Sequence, residues 1–236
     1  MKKLGFLILG ILFVDIYFIY QHVSHIQNDG HQMLSVDSPL VRYLYSNVNP
    51  SNDAIVLKGL YQDKVLHNSY ILSIGLANYL NENSMQNSTY IKALEVERRI
   101  HSILGYDISF VHGDTFLLSS GICGYRYDST RNQYERMEGC SGNSKEAFSR
   151  KIVSAEKTGD WILIYEKLIY FYDDQNAKYD RKFVYDSLNR ERVLNFFETP
   201  SMDISIENYL SDASTYVYYF RLKNGNYIFD RIQKIS

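Results

Sequence analysis

The N-terminal apolar segment constrains this chain more than any other feature of its sequence. Lys2 and Lys3 precede a run from residue 4 to residue 20 that carries a single charge, Asp15. A helix of that length spans about 25 Å, and extension to residue 26 lets it cross a bilayer core of about 30 Å. Because basic residues stay on the cytoplasmic side, we expect a cytoplasmic N-terminus and a main domain outside the cell membrane.

The same segment, residues 1–26, predicts an uncleaved single-pass signal-anchor that contacts the lipid bilayer through residues 4–26. A cleavage site needs small residues three and one before the cut, and residues 15–24 offer bulky ones. Asp15 is costly in an apolar membrane core, so one interpretation is that it contacts a second span of a partner protein. The other interpretation is a short helix in which Asp15 reaches water at the outer leaflet.

Charge and histidine spacing restrict the function classes. The net charge of −2 argues against a nucleic-acid partner, because such proteins present a basic face. His22, His25 and His31 have no thiol or carboxylate nearby to complete a tetrahedral site, so we predict no metal and no other cofactor. We assign residues 27–36 to a polar tether and residues 37–236 to one extracytoplasmic α+β domain.

The first half of this domain, residues 38–105, has the periodicity of helices. Ser38 is a favoured N-cap and Pro39 a favoured first residue for a helix that ends near Asn49. A second helix is predicted over residues 66–80, where apolar residues recur every three or four positions.

The third predicted helix has the clearest pattern. Its apolar positions 93, 96, 100 and 103 share one face, and Gly105 marks its C-terminal end. We expect residues 87–89 to supply the N-cap. On the exposed side we expect Glu95 to pair with Arg99, four residues later.

After Gly105 the pattern changes to short extended segments, which predicts an antiparallel meander over residues 106–236 and an α+β fold. The turn Asn224-Gly225 is a preferred pair for a two-residue hairpin, and it sets Phe220 opposite Phe229 on the core face. One helical turn and eight strands complete the prediction. The turn is at 206–210, and the strands are at 108–111, 116–127, 133–137, 150–156, 161–172, 178–185, 215–222 and 227–235.

The two cysteines, Cys123 and Cys140, are flanked by glycines and separated by a turn-like segment. A hairpin centred near Arg131 places them opposite each other, where Cα atoms of a non-hydrogen-bonded pair lie about 4.5 Å apart. In an oxidising location such a pair predicts a disulfide, which stabilises the fold by about 3 kcal/mol. A free and reactive Cys123 is the alternative.

Aromatic residues on the predicted strands have two interpretations. They form either a stacking platform for a glycan or a half-buried face of the sheet. The second is the commoner arrangement, so we expect most of them in or near the core. The residues concerned are Trp161, Tyr165, Tyr170, Tyr172, Tyr216 and Tyr218.

Residues 112–126 resemble the catalytic pattern of the L,D-transpeptidases, in which a His-Gly pair precedes Ser-x-Gly-Cys and an arginine. The resemblance implies Cys123 as the nucleophile, His112 as its base and Arg126 as electrostatic support. Ile122 stands between the glycine and the cysteine and departs from that pattern. A thiol-dependent cell-wall enzyme is therefore the alternative function.

The Lys-Lys tip and residues 56–61, 120–125 and 218–227 resemble the small single-span proteins of AT-rich Gram-positive gut bacteria. This likeness implies a membrane-anchored extracytoplasmic protein and brings no activity with it. The helix-then-sheet order is similar to the cone of nuclear transport factor two-like domains, which concerns the fold alone. We therefore expect a monomeric binding domain for an envelope protein or a cell-wall polymer, or a structural subunit of a membrane complex docked through Asp15.

Overall fold

The computed structural model of the chain describes residues 30–49, 66–82, 89–115, 124–137, 146–174, 181–187, 190–197 and 205–235. Within these ranges the fold is α+β, with three α-helices and two antiparallel sheets. The helices are α1 (Pro39–Val48), α2 (Asn68–Glu82) and α3 (Ala93–Leu104), and Ile206–Tyr209 forms one turn of 3₁₀-helix. The strands are β1 (His31–Leu34), β2 (Tyr90–Lys92), β3 (Gly124–Asp128), β4 (Gln133–Met137), β5 (Glu146–Thr158), β6 (Trp161–Asp174), β7 (Arg181–Tyr185), β8 (Val193–Phe197), β9 (Ser214–Lys223) and β10 (Asn226–Lys234).

The larger sheet is built around the long strand β6. Strand β5 pairs with one edge of β6, and β1 pairs with the far edge of β5. On the other edge, β9 pairs with β6 from Trp161 to Leu168, and β7 pairs with it from Tyr170 to Asp174. Strands β10 and β8 extend these two arms, so the sheet divides beyond β6. The smaller sheet has the order β2-β4-β3.

One face of the larger sheet packs against the helices, and we refer to it as the inner face. It carries alternate residues of β6 and β9, among them Ile162, Ile164, Tyr218 and Phe220, which are 0–1% exposed. These side chains belong to one hydrophobic cluster with the apolar sides of α1, α2 and α3. Because successive residues of a strand point to opposite sides, the residues between them form the outer face.

Gly75 allows α2 to pack closely against α3. A Cβ atom at this position would lie 2.7 Å from Cγ1 of Ile100 and 2.9 Å from the carbonyl oxygen of Val96. Distances this short are repulsive, so any larger residue must push the two helices apart. The smallest residue therefore sets the spacing of the helical layer over the inner face.

The predicted first helix and last hairpin are confirmed. Ser38 Oγ accepts a hydrogen bond from the backbone N–H of Val41, three residues later. Strands β9 and β10 enclose the turn Asn224-Gly225, and Phe220 pairs with Phe229 as expected. Both features depend on residues close in sequence, which is why the pattern identifies them.

The start and the surface of α3 differ from the prediction. Its N-cap is Lys92, which makes no side-chain capping hydrogen bond, because strand β2 runs directly into the helix. Glu95 pairs with Arg98 at 2.9 Å, and not with Arg99. Arg99 donates instead to Glu82 of α2 at 2.8 Å, so a contact between helices replaces the local pair.

The described strands also differ from the prediction, and β2 is one that the sequence does not predict. Three further differences concern β1, β8 and residues 108–111. Residues 31–34, which the sequence assigns to the tether, pair with β5 as strand β1, so the folded domain begins before residue 37. Strand β8 is not predicted, whereas residues 108–111 form a loop and no strand. Most residues of β1 and β8 are exposed, so neither strand has the apolar alternation that a sequence pattern reveals.

Residues 1–29, which include the predicted anchor and Asp15, lie outside the described ranges. Among the helices that the structure describes, none combines the length and the hydropathy needed to cross a membrane. The anchor therefore remains a prediction from the sequence.

Candidate functional site

The predicted disulfide falls outside the described residues, since neither Cys123 nor Cys140 is among them. The neighbouring register is known, because β3 and β4 pair with Gly124 opposite Met137. The expected hairpin places Gly124 opposite residue 139, so that register is wrong by two residues in the described strands. The disulfide itself stays a prediction.

His112, the predicted base, lies in a network of partners from its own chain. Its Nδ1 is 2.7 Å from the Tyr134 hydroxyl and its Nε2 is 2.9 Å from Oε1 of Glu97. The imidazole also stacks on the Tyr127 ring, with centroids 4.8 Å apart. A neutral histidine offers one donor and one acceptor, so both ring nitrogens are satisfied when Tyr134 donates to Nδ1 and Nε2–H donates to Glu97.

Tyr134 holds this network in the interior of the smaller sheet. Its side chain is fully buried, and burial raises the pKa of its hydroxyl above the ordinary value of 10. A hydroxyl that keeps its proton over the physiological range is a stable donor to His112. The geometry therefore fits a histidine that ties the loop before β3 to α3 and β4.

Arg126, the predicted electrostatic support, is exposed in the middle of β3. Its neighbours Tyr125 and Tyr127 share the opposite side of the strand, and His112 stacks on Tyr127. The structure therefore does not bring the Arg126 side chain to the His112 ring. Of the transpeptidase-like set, only these two members belong to the described residues, because Cys123 does not.

A buried polar cluster joins the end of α1 to the inner face. Glu166 of β6 is fully buried, its Oε1 lies 3.8 Å from Nε of Arg150, and its Oε2 accepts a hydrogen bond from the Tyr218 hydroxyl. Arg150 also donates to Oδ1 of Asn49 at 2.6 Å. Burial and the nearby Glu166 carboxylate raise the pKa of Tyr45 well above its ordinary value. The cluster pairs a buried charge with donors, which is the arrangement that keeps such a charge tolerable.

Farther along the inner face, Arg190 covers a group of tyrosines. Its guanidinium carbon lies 4.2 Å from the ring centre of Tyr172, 5.3 Å from that of Tyr170 and 5.9 Å from that of Tyr185. It also donates to the Tyr170 hydroxyl at 3.0 Å. These rings are therefore occupied by a residue of the chain itself.

The outer face carries rings and guanidinium groups together, in an arrangement that we call the Trp161 platform (Trp161, Tyr219, Arg221 and Arg231). Trp161 pairs with Arg221 across β6 and β9, and Tyr219 pairs with Arg231 across β9 and β10. The Arg231 guanidinium lies 4.1 Å from the Tyr219 ring centre. Arg221 and Arg231 lie 5.5 and 5.8 Å from the Trp161 ring centre, so cation–π contacts connect all four residues.

The part of the outer face next to β1 carries an acidic residue. Glu156 of β5 accepts a hydrogen bond from the Tyr165 hydroxyl at 2.7 Å and lies 2.9 Å from Nε2 of His31. Burial and the Glu156 carboxylate raise the pKa of Tyr165 to about 12. Met33 of β1 lies next to this pair and is 62% exposed. In the row that contains Tyr219, the outer face therefore carries a guanidinium group on β10 and a carboxylate on β5. Farther along β5, Lys151 on the same face pairs with Glu207.

A cavity of about 180 Å³ adjoins the platform at the free edge of β10. Arg221 and Ile228 line it together with residues of the loop that follows α3. Lys223, also in its wall, forms an ion pair with Asp107 at 3.1 Å. The platform is therefore bordered by a recess on one side and by the open sheet on the other.

The structure divides the six predicted aromatic residues between the two faces. Trp161 and Tyr165 are on the outer face, whereas the other four are on the inner face: Tyr170, Tyr172, Tyr216 and Tyr218. The sequence reasoning missed Tyr219, Arg221 and Arg231. The alternation in β9 could have identified the first two, but Arg231 reaches the outer face only through a β-bulge between Phe229 and Arg231.

Comparisons with known protein families, with curated proteins and with solved structures found no match. The fold and the site therefore define the chain by its class alone. It is an α+β domain whose larger antiparallel sheet has helices on one face and an aromatic and arginine platform on the other.

Proposed function

We propose that the chain is a membrane-anchored extracytoplasmic binding domain, and that a cell-wall polymer docks on its Trp161 platform. The observation that carries this proposal is the contrast between the two faces of one sheet. Helices cover the inner face at Ile162 and Ile164, whereas the outer face around Trp161 presents rings and guanidinium groups to solvent. Farther along the outer face, the turn Ile206–Tyr209 covers Ile169. Aromatic side chains with polar edges are common in binding surfaces, because they supply contact area at low entropic cost.

The location rests on the sequence. The apolar segment of residues 4–26 anchors the chain, with the N-terminus in the cytoplasm and the domain outside the cell membrane. The Cys123–Cys140 disulfide fits the same compartment. Helices followed by a bulged antiparallel sheet also agree with a cone of the nuclear transport factor two-like type, which is the finer fold that we propose.

A thiol-dependent enzyme is less well supported than a binding domain. A general base for Cys123 requires a ring nitrogen of His112 that can take the thiol proton. Both nitrogens already have partners in Tyr134 and Glu97, and Arg126 is on the other side of β3. A structural subunit docked through Asp15 would leave the exposed platform without a role.

Sedimentation with purified, insoluble cell-wall material tests the proposal. The full chain, in non-ionic detergent, is mixed with the wall material, and the bound fraction is compared for wild type, Trp161→Ala and Tyr90→Ala. Tyr90 is 57% exposed on β2 of the smaller sheet, so it is the matched aromatic control. The loss of one aromatic contact of about 1 kcal/mol should weaken the binding of Trp161→Ala about fivefold. The control should bind as tightly as the wild type.

Two results would contradict the proposal. One is the absence of sedimentation of the wild-type protein, which leaves a protein partner as the occupant of the outer face. The other is equal sedimentation of wild type and Trp161→Ala, which places the binding surface elsewhere. Unchanged thermal unfolding of the variant shows that a loss of binding is not a loss of folding.

A further inference from the structure

The geometry points to an anionic carbohydrate polymer as the ligand, with its carboxylate or phosphate groups held by Arg221 and Arg231. This inference rests on the proposed function, because it names the chemistry of the polymer that docks on the Trp161 platform. The two guanidinium groups come from adjacent strands, β9 and β10, and both lie within 6 Å of the same indole ring.

The rings hold the arginines in place before a ligand arrives. Arg231 lies over Tyr219 at 4.1 Å, and both arginines contact Trp161. A guanidinium that is already ordered loses less side-chain entropy when it binds, and its planar fork matches a carboxylate or a phosphate with two hydrogen bonds. The platform is therefore prepared for an anion and not only for a sugar ring.

The ion pairs of the two arginines leave donors for a ligand. Arg231 donates from one terminal nitrogen to Asp230, its neighbour in sequence, at 2.6 Å. Arg221 has no ion pair with any residue in the described part of the chain. A guanidinium carries five N–H donors, so both groups keep donors that point toward solvent.

Charge in the row that contains Tyr219 favours one orientation of the ligand. Glu156 lies two strands away from Tyr219 in the same row, and it would repel an anionic group. The anion is therefore directed to the β9 and β10 side, although the whole chain has a net charge of −2.

The dimensions favour a polymer over a small molecule. One row across the outer face runs from Arg231 through Tyr219, Leu163 and Glu156 to Met33. It crosses five strands, and four strand spacings cover about 19 Å. An extended chain of linked sugar rings can contact the whole row, with its charged groups at the end that carries Arg231.

The single tryptophan of the chain provides a direct measurement, because Trp161 is the centre of the platform. Its emission is followed while the full chain in non-ionic detergent is titrated with polygalacturonate. The same polymer with its carboxylates methyl-esterified is the matched neutral probe. We expect polygalacturonate to bind at least about tenfold more tightly than the ester. One hydrogen bond to a charged group is enough to change an affinity by about that factor.

Arginine variants separate the charge from the rings. Arg221→Gln and Arg231→Gln should each weaken polygalacturonate binding by about tenfold and leave the weak binding of the ester unchanged. Arg126→Gln is the control, because Arg126 is an exposed arginine of the smaller sheet. Added salt should weaken binding of the charged polymer and not of the ester.

Equal affinity for the two polymers would overturn the inference and leave the proposed function intact. Binding of neither polymer, with sedimentation on cell-wall material retained, would also overturn it. Tighter binding of single-stranded poly(dT) than of polygalacturonate would replace the carbohydrate with a nucleic acid, which also stacks on such platforms. Loss of sedimentation as well would remove the proposed function itself.

Discussion

The inner and outer faces of the larger sheet consist of the same strands but differ in what their side chains contact. In β9, Tyr218 and Phe220 are buried against the helices. The alternate residues Tyr219 and Arg221 contact Trp161 on the other face. Composition does not separate the two sets, because both contain tyrosines. Position along the strand does, since successive side chains point to opposite sides. We therefore predict that changes at the buried inner-face residues affect stability and that changes in the Trp161 platform affect binding.

The largest effect is expected from neighbouring residues of β9. Phe220→Ala removes a buried ring and should lower the free energy of unfolding by about 3–5 kcal/mol. Tyr219→Ala, one residue earlier, should lower it by less than about 1 kcal/mol and should weaken binding to cell-wall material. Urea unfolding in detergent measures both values. Similar losses of stability in the two variants would break the distinction between the faces.

Two glutamates, one on each face, allow the same comparison for charged groups. Glu166→Ala leaves Arg150 beside the buried cluster without its carboxylate partner, so we expect a loss of about 3–5 kcal/mol. Glu156→Ala on the outer face removes the pair with His31 and the hydrogen bond from Tyr165, and should change stability by about 1 kcal/mol. Chemical denaturation of both variants checks this. An equally small effect at Glu166 would mean that the buried cluster does not stabilise the inner face.

A smaller effect is expected in the helical layer over the inner face. Gly75→Ala forces its Cβ against Ile100 and Val96, so it should cost about 1–3 kcal/mol. Gly113→Ala is the matched control, because a Cβ at that position meets nothing within 4 Å. The difference in thermal midpoint between the two variants is the measurement. A neutral Gly75→Ala would show that the helix spacing adjusts freely.

The smallest effect concerns Tyr165 on the outer face. Its pKa in the folded protein is about 12, above the ordinary 10, because of burial and of the Glu156 carboxylate. A raised pKa means that the folded state keeps the proton longer, so this contribution to stability is complete below pH 10 and is lost as the pH rises toward 12. Tyr165→Phe should therefore flatten the fall of stability between pH 10 and 12. An identical pH profile for wild type and variant would contradict the assignment.

The local parts of the fold could be predicted from the sequence. Ser38 before Pro39 and the turn Asn224-Gly225 depend on a few adjacent residues, and both appear where the pattern puts them. Strands β1 and β8 escape prediction because most of their residues are exposed, and only pairing with another strand defines them. The expected pair of Glu95 with Arg99 fails for a related reason, since Glu82 of another helix competes for Arg99.

The candidate site was predictable only in part. Trp161 and Tyr165 are among the six strand aromatics for which the sequence offers a stacking platform as the less common interpretation. Their partners depend on strand register. A regular β9–β10 ladder would put Arg231 opposite Tyr218 on the inner face. The β-bulge after Phe229 moves Arg231 opposite Tyr219 and brings Ile232 to the inner face instead. The simple alternation of side chains along a strand does not predict that shift.

Acrylamide quenching of Trp161 emission, with and without bound polymer, tests whether the outer face is the binding surface. Trp161 is the only tryptophan of the chain, so the signal comes from the platform alone. We expect efficient quenching in the free protein and a clear reduction when purified cell-wall polymer is bound. An unchanged quenching constant in a sample where the protein is bound would contradict the claim that the outer face is the binding surface.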